Sequence, residues 1–285
     1  MAGCMLGSLA GGGIAASAAE EGRTESVTVG VLSDPENMGP WSGMSQGRIA
    51  MLFSVYEYMV TREDGEVYGV LAKDWERVDA RTYDVEIYDY IHDADGNPLT
   101  ASDIVFSFES AIATKNYSKL NVVESVTALD DYNVEFKFNK DLEIGEFENV
   151  MLECAIVTQA AYEASEDQMA TTPVGTTAYK VESYVPGSEL ILKDTGNYWQ
   201  TDESLVHGTS VHNADEIIFS VITESSQHTV ALQTGAVDIS NGVPDTDIAE
   251  FEEGGQYAEG NQVSIVLDNL SYDIEYNMSD SSVFK

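Results

Sequence analysis

Short segments in which apolar and polar residues alternate recur along this chain, and they constrain its fold more than any other feature. In SVTVGVL (26–32) three valines occupy alternate positions, as they do on the buried face of a β-strand. TYDVEIYDYI (82–91), DDYNVEFKFNK (130–140) and DEIIFSVI (215–222) are further strand candidates. Helical stretches lie between them without regular β–α–β order, so the sequence predicts a mixed α/β (α+β) fold.

Two stretches are predicted to be helical. ESSQHTVALQTG (224–235) is predicted as a short amphipathic helix that includes Val230 and Leu232 and stops at Gly235. Residues 143–164 are mostly helical in character.

The segment YIHDADGNPLTASDIVFSFESA (90–111) places acidic residues and a glycine just before an apolar run. An EF-hand calcium loop with Gly96 at its sixth position would have Ile91 at the first, where aspartate is required, and Ser102 at the twelfth, where a bidentate glutamate is required. Calcium binding of that type is therefore excluded. The two aspartates of DADGNP are followed by Gly, Asn and Pro, which are typical of an exposed turn. Such a position does not suit a catalytic carboxylate pair, which would lie in a cleft.

The same residues favour a structural turn that begins a helix. Gly96 permits unusual backbone dihedrals, and Thr100 can cap the helix, with Asp103 three residues later in its first turn. Ile104 and Phe108 then fall on one helical face. We predict that this turn is structural and has no chemical role.

The charge balance excludes one class of partner. Among 285 residues, 13 Lys and Arg stand against 50 Asp and Glu, a net charge of −37. A nucleic-acid partner is excluded because it requires a basic face, and an anionic membrane surface would repel the chain. Two interpretations stay open: a solvated acidic surface suited to a salty medium, and a preference for cationic ligands.

Three motifs in order carry a resemblance to a known family. The first is LAKDWERVDARTYDVEIYDYIHDADGNPLTASDIVFSFESA (71–111), the second TPVGTTAYKVESYVPGSELILKDTGNYW (172–199), and the third ALQTGAVDIS (231–240). Together they resemble the family 5 extracellular solute-binding proteins, the dipeptide, oligopeptide and nickel binders that feed ABC importers. Thr177 and Ala178 depart from the family's usual Gly-Pro.

The resemblance implies a periplasmic-binding-protein-like type II fold, here the first lobe with an inserted subdomain and with the second lobe missing. Its core is expected to comprise 25–60 and 165–265. Residues 61–164 are expected to form the inserted subdomain, and 266–285 to be the truncated start of the second lobe.

The implied function is that of a substrate-binding receptor of an ABC importer, which captures short peptides and delivers them to a membrane permease. A nickel or oligosaccharide binder of the same family and an acidic surface adhesin are the alternatives. No enzyme activity and no cofactor are expected, since the chain lacks an H-E-x-x-H motif and a G-x-x-x-x-G-K-[ST] phosphate-binding loop.

Ligands of two-lobed binders lie in the cleft between the lobes. By resemblance, the first lobe contributes the loops Pro35–Trp41, Val174–Tyr179 and Asn241–Pro244.

Five residues are the candidate ligand contacts. Glu36 is expected to meet a ligand cation, Asn37 and Asn241 (followed by Gly242) to hydrogen-bond a peptide backbone, and Trp41 to form an apolar wall. The structural alternatives are a solvated loop charge at Glu36 and a packed core anchor at Trp41.

The histidines do not form a metal-binding pattern. His207 and His212 flank GTSV with no nearby cysteine and no helical register to bring them together, and His228 lies within a helix. We predict satisfied or exposed histidines and no metal site. Cys154 lies in an apolar setting and is predicted to be buried and inert.

The first residues, 1–24, are expected to be an export signal remnant or a lipoprotein tether. ASA at 16–18 fits a signal-peptidase site, whereas AGC would make Cys4 a lipidated residue. Either version implies an exported protein, lipid-anchored at the cell surface or located in the periplasm. Its contacts with the membrane would then be through the lipid anchor or the permease.

Overall fold

The structure is a computed structural model that describes residues 23–43 and 46–264, with the backbone alone at 46–50. The expectations for residues 1–22 and 266–285 lie outside the described residues. The chain divides into two compact units, the larger of which ends at Pro244. All sheets described below belong to this larger unit.

The larger unit contains strands and short helices in mixed order. The strands are β1 (Thr24–Val31), β2 (Val60–Glu63), β3 (Glu66–Gly69), β4 (Ala72–Arg77), β5 (Thr82–Ile87), β6 (Val123–Ala128), β7 (Asn133–Phe138), β8 (Tyr179–Val185), β9 (Glu189–Asp194), β10 (Ala214–Val221) and β11 (Ile239–Ser240). The helices are α1 (Gln46–Val55), α2 (Ala101–Thr114), α3 (Glu146–Met151), α4 (Gln159–Ala164) and α5 (Ser225–Thr234).

The central sheet has the order β11-β1-β10-β9-β8. Strand β1 pairs in parallel with β10, so that Thr28 lies opposite Ile218 and Val29 opposite Phe219. It also pairs in parallel with β11, whereas β9 runs antiparallel to both of its neighbours. The carboxyl ends of β1, β10 and β11 therefore meet at one edge of the sheet, together with the β8–β9 turn. We call this the carboxyl edge.

A second sheet has the order β4-β5-β7-β6 and is antiparallel throughout. Helix α2 packs on it and buries Phe108 against Phe136, with ring centroids 5.0 Å apart. The strands between 72 and 138 thus form a sheet of their own. This partition supports the division into a core lobe and an inserted subdomain, which remains our proposal.

The predicted helical stretch 143–164 is interrupted. Helices α3 and α4 are six residues each, and the chain between them turns at 152–153 and then bridges Ile156 to Glu57. Tertiary pairing to the first part of the chain takes precedence there over local helix preference. Cys154 lies within this stretch and is fully buried, and burial raises the pKa of its thiol.

The turn before α2 is built around Asp93, which is 1% exposed. Its Oδ1 accepts the backbone N–H groups of Asp95 and Asn97 at 2.9 Å each, and its Oδ2 accepts the Thr158 hydroxyl at 2.5 Å. Gly96 has φ of +86°, the left-handed conformation that the turn requires.

The predicted helix cap is confirmed. Thr100 is the N-cap of α2, and its backbone N–H donates to Asp103 Oδ2 at 2.8 Å in a capping box. Asp103 Oδ1 also accepts the Gln159 N–H at 2.8 Å, which ties the start of α2 to α4.

A buried carboxylate explains the Tyr-Trp pair of the second motif. Glu57 is 2% exposed and accepts hydrogen bonds from Tyr198 Oη (2.5 Å), Trp199 Nε1 (2.8 Å) and Ser210 Oγ (2.7 Å). Burial raises the pKa of Glu57 against the opposing effect of these donors. Trp199 is 4% exposed and belongs to the core.

The second unit begins at Asp245. It contains helix α6 (Asp245–Ile248) and a ring contact between Phe251 and Tyr257 at 5.7 Å. Across the parts of the chain that the structure describes, no helix is both long enough and apolar enough to cross a membrane.

Candidate ligand-binding site

Asp34 fixes the loop that leaves β1 at the carboxyl edge. Its carboxylate accepts the Glu36 N–H at 2.6 Å, the Tyr184 hydroxyl at 2.5 Å and the backbone N–H of Gly187. Partial burial acts to raise the pKa of Asp34, but these three hydrogen bonds outweigh it and hold the pKa below its usual value. The loop is thereby attached to the β8–β9 turn.

Glu36 and Asn37, two and three positions after Asp34, are exposed, whereas Pro35 between them and Asp34 is buried. Glu36 has φ of +56°, a conformation that few non-glycine residues adopt, and its side chain lies on the surface. Asn37 is also exposed, and its Oδ1 accepts the Gly39 N–H at 2.8 Å within a local turn. Asp34 therefore holds a carboxylate and an amide at the open edge of the sheet.

The far end of the same loop is anchored in the core. The Met38 carbonyl accepts the Tyr56 hydroxyl at 2.9 Å, and the Pro40 carbonyl accepts the Tyr117 hydroxyl at 3.3 Å. The Met38 N–H donates to the Ala170 carbonyl at 2.8 Å. These contacts come from three separate parts of the chain, so the loop is preorganised.

Trp41 is one of these anchors. It is 5% exposed, and its Nε1 donates to the Ala155 carbonyl at 3.0 Å. Its ring packs on Tyr162 and Phe106, with centroids 4.9 and 5.7 Å away. Trp41 therefore packs in the core and anchors the loop, which agrees with the structural alternative stated for it rather than with an apolar wall for the ligand.

The candidate loop Asn241–Pro244 also leaves the central sheet at the carboxyl edge. Gly30 of β1 lies in register with Ser240 of β11, so Asn241 follows directly beside the end of β1. Asn241 is exposed, whereas Gly242 is buried and its N–H donates to Ser240 Oγ at 3.1 Å. Gly242 is therefore a packing position behind Asn241.

The third loop, Val174–Tyr179, reaches the central sheet at the opposite edge. Strand β8 begins there, and the Tyr179 hydroxyl donates to the carbonyl of Ala214, the first residue of β10. Strands β8 and β10 point the same way because both run antiparallel to β9. The Val174–Tyr179 loop is thus separated from the other two candidate loops. The segment of β8 and β9 that does lie at the carboxyl edge is the turn between them.

His228 is the residue at this edge that sequence reasoning missed. It is fully buried, and its ring nitrogens lie 2.7 Å from the Ile222 carbonyl and 2.7 Å from Ser240 Oγ. The predicted helix α5 is present, but Val230 is 46% exposed and the buried positions are His228, Thr229 and Ala231. No local pattern signals this, because the partners come from two other strand ends.

The loops of the carboxyl edge carry charge of one sign. Residues 32–42, 186–188, 222–227 and 241–244 contain Asp34, Glu36 and Glu224 and no Lys or Arg. Negative potential at this edge favours a ligand with a cationic group.

The two histidines around GTSV have different partners. His207 Nδ1 lies 3.3 Å from Glu63 Oε2, and its ring stacks on Tyr68. His212 Nδ1 lies 3.1 Å from the Ser210 carbonyl. Within the described residues no group of three or more His, Cys, Asp or Glu side chains is arranged to hold a metal ion.

A mixed sheet with loops at the carboxyl ends of its parallel strands has the geometry of a ligand-binding lobe. Residues 66–282 match the model of the bacterial extracellular solute-binding proteins, family 5 (middle). The chain belongs to this family, as the three motifs predicted.

Individual relatives bind different solutes. The chain is 26% identical over 157 residues to the nickel-binding protein NikA of Staphylococcus aureus, covering 54% of this chain and 31% of that protein. It is 22% identical over 241 residues to the periplasmic murein peptide-binding protein MppA of Escherichia coli, covering 75% of this chain and 43% of MppA. The chain therefore spans less than half the length of these relatives.

Solved structures show the same fold. The oligopeptide-binding protein AppA of Bacillus subtilis, in complex with a nonapeptide, superposes with a TM-score of 0.67 at 23% identity. The match covers 79% of this chain and 45% of AppA. The type II fold predicted from the resemblance is confirmed.

Proposed function

We propose that this chain is the first-lobe part of a receptor that captures short peptides outside the cell and delivers them to the permease of an ABC importer. The observation that carries the proposal is the pair of exposed polar loops at one acidic edge: Glu36 and Asn37 after β1, and Asn241 after β11. A peptide presents a cationic terminus and a row of main-chain donors and acceptors, which this set of groups matches.

Each exposed side chain has a role in this proposal. Glu36 pairs with the peptide ammonium, while Asn37 and Asn241 hydrogen-bond the peptide backbone from two sides of the sheet end. Gly242 and Trp41 support the loops from behind, since both are buried. The receptor has no catalytic role, and it is held outside the cell as a lipid-anchored or periplasmic protein.

Calorimetric titration of the whole protein that contains this chain tests the proposal. A pool of di- to pentapeptides is expected to release binding heat, and the same peptides with acetylated N-termini are expected to bind at least about tenfold more weakly, since a charge-assisted pair is lost. Glu36→Gln should remove most of that difference. Glu182→Gln, which changes an exposed glutamate on β8, is the matched control.

Heat from nickel or an oligosaccharide with silence from peptides would reject peptide capture and favour another branch of the family. Equal binding of free and acetylated peptides would reject the role of Glu36.

A further inference from the structure

The buried imidazole of His228 joins the ends of all three parallel strands. Its Nε2 lies 2.7 Å from the carbonyl of Ile222, which follows β10, and its Nδ1 lies 2.7 Å from Ser240 Oγ on β11. The ring also lies against Gly30 of β1, where an added Cβ would be 3.1 Å from Nδ1.

The hydrogen bonds have a defined direction. A carbonyl only accepts, so Nε2 carries the proton donated to Ile222, and in the neutral imidazole Nδ1 accepts the Ser240 hydroxyl. The same Ser240 oxygen accepts the Gly242 N–H at 3.1 Å. Ile222 in turn donates its N–H to the Val31 carbonyl at 2.8 Å, so an unbroken series of bonds runs from the end of β1 to the Asn241–Pro244 loop.

Shape complements this series. A Cβ added at Gly242 would lie 2.6 Å from His228 Nε2 and Cε1, which is closer than real Cβ contacts allow. The loop backbone therefore rests directly on the imidazole ring. Its path over the edge is set by the position of that ring.

We propose that His228 is the positioning residue of the ligand-binding edge. It fixes the Asn241–Pro244 loop against the end of β1, so that Asn241 and the Glu36 loop face one ligand, and it does so without contacting the ligand. The identity of the ligand as a short peptide rests on the proposed function. The effect of His228 on the Asn241–Pro244 loop rests on the geometry alone.

Two measurements on the whole protein test it. Hydrogen exchange of residues 239–244 in the ligand-free protein reports the loop, with β5 as the internal reference. Calorimetry with the peptide pool reports affinity. His228→Ala and Ser240→Ala are each expected to speed exchange in the loop but not in β5, and to weaken binding about fivefold, the equivalent of one net hydrogen bond. Thr234→Ala, on the exposed side of the same helix, is the control.

A double variant separates contact from general damage. Gly242→Ala alone should weaken binding more than either single variant, because the new methyl group meets the ring. Combining it with His228→Ala removes the obstacle, so the double variant should bind more tightly than Gly242→Ala alone.

Additive losses in the double variant, or unchanged exchange in both His228→Ala and Ser240→Ala, would overturn the inference. Ser240→Ala keeps the imidazole in place and decides the question if His228→Ala does not fold. If the wild-type protein binds no peptide, the proposed function fails, while the exchange measurement still decides whether His228 positions the loop.

Discussion

Two turns of this molecule use the same local device in different surroundings. Asp93 and Asp34 each accept the backbone N–H of the residue two positions further on. Asp93 is 1% exposed, and its second oxygen is bound to Thr158 inside the protein. Asp34 lies at an open edge, where the residue that it orients, Glu36, projects to the surface.

In both turns an aspartate carboxylate fixes the local backbone. Whether that carboxylate is buried decides if the turn supports the fold or presents a side chain to the surface. Around Asp93 the carboxylate is itself buried and bonds to Thr158, while Asp95, which it orients, pairs with Lys180 at the surface. Around Asp34 the carboxylate attaches one loop to the β8–β9 turn and leaves a charged side chain in front of it. The first turn is a structural element, and the second is suited to hold a binding group in place.

The largest expected effect is on stability at the buried turn. Asp93→Ala removes four hydrogen bonds and deprives the Thr158 O–H and the N–H groups of Asp95 and Asn97 of their acceptor. We expect a loss of about 3 kcal/mol in the free energy of unfolding, measured with urea. Asp95→Ala, which removes an exposed ion pair with Lys180, should cost less than about 1 kcal/mol. Equal losses in the two variants would contradict the structural role assigned to the buried Asp93 carboxylate.

Asp34→Asn is expected to have a smaller effect, of about 1 kcal/mol near neutral pH, that depends on pH. The pKa of Asp34 is lower in the folded state than its usual value, so its charge contributes stability above the unfolded pKa. That contribution is lost as pH falls through the folded pKa. Unfolding measured at about pH 6 and about pH 3 should therefore show the difference between wild type and variant shrinking in acid. A difference that grows in acid would contradict this assignment.

Gly96→Ala tests the backbone of the buried turn. With φ of +86°, an alanine there is strained, at a cost of about 1 kcal/mol. An added Cβ meets no atom within 4 Å, so the cost is conformational rather than steric. Thermal unfolding measures it, and an unchanged melting temperature would show that the turn can relax.

Glu36→Gly is expected to have the smallest effect on the free energy of unfolding, and it should raise stability where the other variants lower it. Glycine relieves φ of +56° at this position, for a gain below about 1 kcal/mol, while the proposed ligand charge is lost. Stability should rise slightly as peptide affinity falls. A fall in both would place Glu36 in the packing of the loop instead of at its ligand-facing surface.

Much of the fold was predictable from the sequence. The alternating segments gave β1, β5, β7 and β10, and the turn chemistry placed the cap at Thr100. Strand β8 was missed, because its alternation lasts only from Tyr179 to Glu182 before the register shifts between Val181 and Ser183. The helical interpretation of 143–164 failed where Ile156 pairs with Glu57.

What the sequence determined by itself was local: strand period, turn and cap residues, the burial of Cys154 and the family motifs, each a property of residues close together in the chain. Only the tertiary structure decided that Trp41 packs in the core, that Val174–Tyr179 lies at the far edge, and that His228 rests against Gly242. Sheet register is the physical reason. It aligns Val29 with both Phe219 and Ile239, roughly two hundred residues away, and no short-range pattern encodes which strand ends will share an edge.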